Sequence, residues 1–277
     1  MNSNDALVIP ARVDPVGLRT DVPHPARMYD YYLGGKTHFA ADRLAAQQVL
    51  EAFPYARVTA TENRGFLLRA VMRLAQSGVH QFLDIGTGIP TEPNVHQVVQ
   101  AVEPSTRVVY VDNDPIVLAH ARALMMSTAS GRTAYVEADL REGERILEAG
   151  SLTAVLDLGR PVALVLGAIL HFLPDVADPY GIVRRLIGRL ATGSYLVVSH
   201  VTGDWAPELW ARITETYHLG GIPLQVRSRS EVARFFHGLD LIEPGLKPVH
   251  WWHPSDEAGA DPGLAAVSCY GGVARVP

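Results

Sequence analysis

From residue 79 onward the chain repeats one alternation: a short apolar run, then a longer stretch whose apolar residues recur every three or four positions. The runs fall at 81–85, 108–111, 134–137, 162–168 and 195–199. Runs of this length, set apart by helical periods, predict at least five parallel strands joined by helical crossovers. The helices are punctuated as well. Asp114-Pro115 supplies an N-cap and a proline at the first helical position, ahead of a stripe of Val117, Leu118, Ala121, Leu124 and Met125. Asp178-Pro179 repeats the device before Ile182, Val183, Leu186 and Leu190. Past residue 200, a helix over 206–217 leads to two more candidate strands, 239–242 and 264–270, separated by a Gly, Asp and Pro-rich stretch at 254–263. Without a helical crossover between them, these two predict an antiparallel pair at the sheet edge.

The first 78 residues follow another pattern. Residues 1–23 carry Pro10, Pro15 and Pro23 with little periodicity and predict an extended arm. Residues 24–35, HPARMYDYYLGG, predict a short helix and a glycine turn. Phe39, Ala46, Val49, Leu50 and Phe53 predict a helix that Pro54 ends. Thr59, three residues before Glu62, has capping-box spacing ahead of Phe66, Ala70, Val71 and Leu74, with Gly78 as the stop. The expected organisation is an arm (1–23), an N-terminal helical addition (24–78) and one α/β domain (79–277).

Composition narrows the class. Of 277 residues, 48% are hydrophobic and 19% charged, as in ordinary folded proteins. The net charge of −5, without a run of Lys and Arg, argues against a general nucleic-acid partner. Cys269 is the only cysteine, so an intrachain disulfide is excluded and a reducing compartment fits. The longest apolar run, 162–170, is about half of the roughly 18 residues expected of a spanning helix. These features predict a soluble, cytoplasmic protein without a membrane partner.

Candidate chemistry sits at the strand ends, where open parallel sheets bind ligands. After the first strand stands Asp84-Ile-Gly-Thr-Gly-Ile-Pro-Thr91. Gly86 and Gly88, flanking Thr87, permit a tight turn and close approach of a ligand. A dinucleotide fingerprint requires a third glycine at position 91; Thr91 occupies it, which counts against NAD and favours a smaller, phosphate-free ligand. Asp84 would repel a pyrophosphate but can accept a hydrogen bond from an ammonium. Asp112 ends the second strand, 21 residues past Thr91 and beside Asn113, where an acidic side chain grips ribose hydroxyls. Asp139, with Leu140 beside it, ends the third, where a carboxylate can accept from adenine's exocyclic amine. Each position also has a structural use, as a βα turn, a polar cap or a helix N-cap.

These segments resemble the successive cofactor motifs of class I S-adenosylmethionine-dependent methyltransferases. More narrowly, Ala26-Arg-Met-Tyr-Asp-Tyr-Tyr-Leu-Gly-Gly35, Glu62-Asn-Arg64 and Leu170-His-Phe172 resemble a bacterial S-adenosyl methyltransferase family. The resemblance runs from His24 to the end. It implies a Rossmann-like, seven-stranded, mostly parallel sheet with an antiparallel edge strand, an N-terminal helical addition over the cleft, and S-adenosylmethionine as cofactor. It implies methyl transfer but no known substrate; the leading expectation is a small-molecule acceptor.

Within that frame Gly167 and Ala168 are expected to leave space for the cofactor. Arg64 or Arg27 would clamp its carboxylate, with Asn63 nearby and Tyr29 closing over it. Alternatively Arg64 pairs with Glu62 or Asp30, and the tyrosines are core. No dedicated catalytic residue is required, because the sulfonium is already an excellent leaving group; His171 and Asp175 are the first candidates if a base is used. His250-Trp-Trp-His253, lacking a partner Cys or carboxylate, makes a poor metal site, and no metal is expected. Two rival readings are a non-catalytic binder of S-adenosylmethionine or S-adenosylhomocysteine, and a nucleotide-dependent oxidoreductase.

Overall fold

The computed structural model describes residues 18–124, 126–254 and 260–277, including the backbone but not the side chain of Leu124. Pro10 and Pro15 of the expected arm, Met125 of the helical stripe and positions 255–259 of the Gly, Asp and Pro-rich stretch lie outside the described residues.

Three helices come first: α1 (Pro25–Tyr32), α2 (Ala40–Ala52) and α3 (Ala56–Gln76). Then β1 (Gln81–Ile85), α4 (Val95–Val102), β2 (Arg107–Asp112), α5 (Pro115–Leu124) and β3 (Arg132–Glu137) alternate. The short α6 (Gly143–Glu148) and α7 (Gly150–Thr153) precede β4 (Ala163–Gly167), α8 (Pro179–Ile187) and β5 (Tyr195–Val201). The chain closes with α9 (Pro207–Leu219), α10 (Arg229–Ala233), β6 (Asp240–Leu241), β7 (Lys247–Pro248), α11 (Leu264–Val267) and β8 (Cys269–Arg275).

One sheet takes the order β3-β2-β1-β4-β5-β8-β6, with β7 also paired to β8. The five expected strands are parallel, while β8 runs antiparallel between β5 and the edge strands β6 and β7. The sheet therefore has eight strands rather than the expected seven. Its edge is split in two, because Pro244 lacks an N–H and Gly245 turns the chain at φ +81° between β6 and β7. Strand order reverses between β1 and β4, so the carboxyl ends of these two strands open a crevice.

Two sequence expectations need correction. Residues 264–270 are not one strand: Leu264–Val267 forms a helical turn, Ser268 takes φ +42°, and the strand starts at Cys269 and runs through Gly271-Gly272. This glycine pair reads as a break in sequence, yet the strand needs it. A Cβ on Gly271 would stand 2.7 Å from the Phe66 ring. Thr59 likewise does not cap a helix, since α3 already begins at Ala56; its hydroxyl instead donates to the carbonyl of Ala266 at 3.0 Å. The expected caps at Asp114 and Asp178 are present, accepting from the backbone N–H of Ile116 and Gly181 at 2.9 Å each.

The core lies on both faces of the sheet. Phe66, Ala70, Val71 and Leu74 of α3 pack directly against Phe82, Val108, Val165 and Val273. On the other face Leu83, Val109, Leu164 and Leu196 meet Ile146, Leu152, Ile182 and Leu186. A third cluster joins α1 and α2 to α9 through Met28, Tyr32, Val49, Phe53, Trp210 and Ile213. Each fully buried side chain of this size contributes roughly 1.5–3 kcal/mol of hydrophobic free energy. This third cluster holds the N-terminal helices over the crevice. No helix among the described residues is long and apolar enough to cross a membrane.

Candidate functional site

The distinctive segment at the N-terminus is first of all a fastening. Asp30 is buried, and its Oδ2 accepts from the Thr37 N–H at 2.9 Å and contacts His38 Nδ1 at 2.8 Å. A Cβ on Gly35 would lie 2.0 Å from the Asp30 carboxylate, so the double glycine is what lets the loop close on that aspartate. Arg27 is 2% exposed and ties Asp42 Oδ1 at 3.1 Å to the carbonyl of Val22 at 2.7 Å. It does not line the crevice, so its expected part in a carboxylate clamp is corrected to a buried anchor of the arm.

Beneath α1, α2, α3 and α9, over the carboxyl ends of β1, β2, β3 and β4, lies a cavity of about 680 Å³. All twelve residues expected at a cofactor line it: Tyr29, Arg64, Asp84, Gly86, Thr87, Gly88, Asp112, Asn113, Asp139, Leu140, Gly167 and Ala168. Asn63 and His171 line it as well, whereas Asp175 does not. The Asp175 carboxylate is committed to Arg227 at 2.7 Å on the surface, which corrects its candidacy as a base.

The glycine turn is shaped by backbone geometry. Gly86 and Gly88 take φ +75° and +70°, a region that side chains rarely enter. A Cβ on Gly86 would meet Ile169 at 2.1 Å, while nothing stands within 4 Å of one on Gly88. Gly167 is equally constrained, with Leu67 at 2.6 Å from its absent Cβ, and Ala168 next to it holds φ +52°. Two non-interchangeable turns thus face each other across the strand reversal.

Asp84 is 7% exposed and accepts from the Thr87 hydroxyl at 3.1 Å through Oδ2, while no donor among the described residues reaches Oδ1. Burial pushes its pKa up to about 6, against the pull of that hydroxyl and of Arg64. Asp112 accepts one backbone N–H on each oxygen, from Gly88 at 2.9 Å and Asp114 at 2.9 Å. Burial also raises its pKa, and each oxygen retains a lone pair. Asp139 differs. Arg141 supplies its backbone N–H at 2.9 Å, Nε at 2.8 Å and Nη2 at 2.7 Å, and Asn113 adds Nδ2 at 3.0 Å. These four donors fill the carboxylate's acceptor sites, and the Arg141 contacts bring its pKa down to about 2.

Arg64 pairs with neither Glu62 nor Asp30. Its Nη2 donates to the carbonyls of Thr91 and, at 2.6 Å, Pro93, so it clasps the far end of the glycine loop. The Tyr29 hydroxyl donates to the carbonyl of Ala60 at 2.9 Å and accepts from Asn63 Nδ2 at 2.8 Å; burial pushes its pKa up to about 12. Its ring lines the cavity.

Sequence reasoning missed the opposite wall. Tyr32, Phe53, Phe172, Trp210, Ile213 and Tyr217 line the same cavity. Trp210, Ile213 and Tyr217 recur at i, i+3 and i+7 on α9, a helical face that signals burial but not against what. His250 and His253 face different partners, Asp261 at 3.1 Å and the Glu243 carbonyl at 2.9 Å, while Trp252 is fully buried beside Phe66. Among the described residues no group of His, Cys, Asp and Glu could hold a metal.

A family model described as S-adenosyl methyltransferase matches residues 12–277. The chain belongs to the S-adenosyl methyltransferase family. It is an S-adenosylmethionine-dependent methyltransferase with S-adenosylmethionine as its cofactor. The methyltransferase is similar to a DUF574 family protein from Streptomyces avermitilis, at 46% identity over 94% of this chain and 100% of that one, with a TM-score of 0.92. It is also similar to a candidate methyltransferase from Thermobifida fusca, at 34% identity over 96% and 99% of the two chains, with a TM-score of 0.83. An O-methyltransferase family protein from Burkholderia thailandensis, at 13% identity over 78% of this chain and 58% of that one, shares the fold with a TM-score of 0.50. No curated protein matches the sequence.

Proposed function

We propose that the methyltransferase holds its cofactor along the β1, β2 and β4 ends and transfers the methyl group to a small-molecule acceptor in the compartment under α1, α2 and α9. The observation that carries this reading is that one cavity has two chemically different walls. Asp84, Asp112, Asn113 and Asp139 line the strand ends, and an aromatic and aliphatic set lines α1, α2 and α9.

The residues at the strand ends fit the cofactor. Asp84, a 7% exposed residue lining the cavity whose Oδ1 accepts from no described donor, suits the methionyl ammonium. Asp112 retains acceptor capacity for a ribose diol beside Gly88, where no side chain intrudes. Leu140 and Asn113 flank the place for adenine; Asp139 can accept from its amine once Arg141 gives way. Arg64 acts chiefly by fixing the loop carbonyls. When bound, the cofactor supplies a methyl on a sulfonium, so the protein's task is alignment and exclusion of water. The NAD-dependent alternative gains no support, because Asp84 lines the cavity where a pyrophosphate on this turn would sit and Thr91 replaces the third glycine.

Titration calorimetry comparing S-adenosylhomocysteine, S-adenosylmethionine and NAD tests the cofactor site: adenosyl ligands should bind, and binding of NAD alone would overturn the reading. Incubation with labelled S-adenosylmethionine and a metabolite extract, separated by size, tests the acceptor. Label found only in macromolecules would sink the small-molecule assignment.

A further inference from the structure

Among the described residues, three buried polar atoms on cavity-lining side chains have no hydrogen-bond partner: Asn63 Oδ1, His171 Nδ1 and Trp210 Nε1. An unpaired buried polar group is destabilising, a cost that a polar ligand could offset. Asn63 neighbours Arg64 and Tyr29 on the cofactor side. His171 and Trp210 belong to the other side, where Phe172 packs on Tyr217 with ring centroids 6.2 Å apart.

His171 stands where the two walls meet. It sits on the 3-10 turn Leu170–Phe172, directly after the Gly167-Ala168 end of β4. It is 5% exposed, and neither ring nitrogen bonds a described residue. Behind it, Arg227 holds this turn by donating to the carbonyls of Leu170 at 3.1 Å and Leu173 at 2.9 Å. Arg227 also lies 3.0 Å from His200 Nε2. Since a guanidinium can only donate, that nitrogen accepts, and His200 keeps its proton on Nδ1, facing the Val201 carbonyl at 2.7 Å. Burial and the neighbouring His200 and Arg227 hold the His171 imidazole neutral, far below its usual range.

The wall formed by α1, α2, α9 and the Leu170–Phe172 turn carries no Asp, Glu, Lys or Arg; its titratable groups are His171, Tyr29, Tyr32, Tyr217 and His24 at the N-cap of α1, with Cys269 beside it, while Arg64 of α3 lines the cavity on the cofactor side. The hydroxyls of Tyr32 and Tyr217 bond each other at 3.3 Å, and burial keeps both protonated. A charged acceptor, including an alkylammonium, would lose its hydration there without a counter-ion. Flat rings, by contrast, match aromatic walls.

We propose that the methyl acceptor is an uncharged aromatic compound whose hydroxyl rests on the His171 ring, with its ring system held among Phe172, Trp210 and Tyr217. The proposal rests on the two-walled reading of the cavity given above. In the step, the acceptor oxygen forms its bond to the methyl carbon as the carbon–sulfur bond breaks, with that electron pair going to sulfur. The hydroxyl proton passes to the His171 imidazole and from there to water. A weakly basic imidazole suits an aromatic hydroxyl, whose proton becomes strongly acidic as the new bond forms.

The test uses the full chain and two probe sets. One holds 1-naphthol, dihydroxynaphthalenes and hydroxyflavones; the other holds tyramine, salicylate, amino acids and nucleotides. Tryptophan fluorescence without any methyl donor should show saturable binding of 1-naphthol, weakened at least tenfold in Trp210→Ala. With labelled donor, transfer should be confined to the neutral set. His171→Asn should lower kcat at least a hundredfold while changing naphthol affinity less than threefold, and S-adenosylhomocysteine affinity should stay within twofold. Absence of naphthol binding to the unaltered chain, transfer confined to the charged set, or an undiminished kcat in His171→Asn would each overturn the proposal. If S-adenosylhomocysteine failed to bind the unaltered chain, the cavity reading itself would fall, and calorimetry on the same sample separates the two.

Discussion

The Gly88 N–H donates to Asp112 Oδ2 at 2.9 Å, which joins the turn after β1 to the end of β2. Two residues 24 positions apart are thereby one unit: the carboxylate that would hold ribose also fixes the glycine loop beside it. Asp112→Ala would leave the buried N–H of Asp114 without an acceptor, at roughly 1–3 kcal/mol, and the half-buried N–H of Gly88 as well, at less. We expect a drop in Tm and at least a tenfold loss of S-adenosylhomocysteine affinity, read by calorimetry. Unchanged affinity would remove Asp112 from the site.

Asp84 makes binding depend on pH. Its carboxyl is shifted up to about 6 by burial, so in the native state it is ionised only above that value, whereas in the unfolded chain it ionises near the ordinary carboxylate value of about 4. Between these values the native state binds the extra proton, so this residue's contribution to stability falls as pH rises from about 4 to 6 and is level above. An ammonium ligand favours the ionised form. S-adenosylhomocysteine affinity should therefore weaken as pH drops from 7 to 5, and Asp84→Asn should bind weakly with a flatter profile. Asp112, raised in the same direction, leaves a residual slope. Calorimetry across that range is the measurement.

Arg141 competes with the ligand for Asp139. It occupies both carboxylate oxygens, yet its own side chain is 64% exposed and its contact with Asp139 is worth at most about 1 kcal/mol. Arg141→Ala should leave Tm nearly unchanged and raise adenosyl-ligand affinity severalfold. A fall in affinity would show that Arg141 itself contacts the ligand.

Gly86→Ala should be severely destabilising, through both its φ of +75° and the 2.1 Å approach to Ile169. The first contribution is of order 1–2 kcal/mol and the overpacking adds roughly 1–3 kcal/mol. Ile169→Val, which removes the terminal methyl nearest that Cβ, should restore part of the loss in the double variant but not the backbone share. Denaturant unfolding of the three variants would show it; full restoration would mean that backbone conformation costs nothing here.

Much of the fold is written in local pattern. The five parallel strands, the caps at Asp114 and Asp178, and the strand-end placement of Asp84, Asp112 and Asp139 follow from apolar spacing and turn chemistry, which act over a few residues. The resemblance in those same segments already named the cofactor. The edge was less legible: β8 runs through Gly271-Gly272 because Phe66, more than 200 positions away, needs the space.

What the sequence alone determined is the sheet and the row of carboxylates along its strand ends, since period and punctuation are properties of neighbours in the chain. Tertiary structure decided which polar groups remain free. Arg27 and Asp175 are consumed by partners, Asp139 is saturated by Arg141 and Asn113, and His171 is left without a bond to any described residue. It also decided that Trp210 and Tyr217 of α9 close a cavity opened by residues near position 84. A side chain's hydrogen-bond balance and the far wall of a cavity depend on segments brought together only by folding, and no local pattern encodes them.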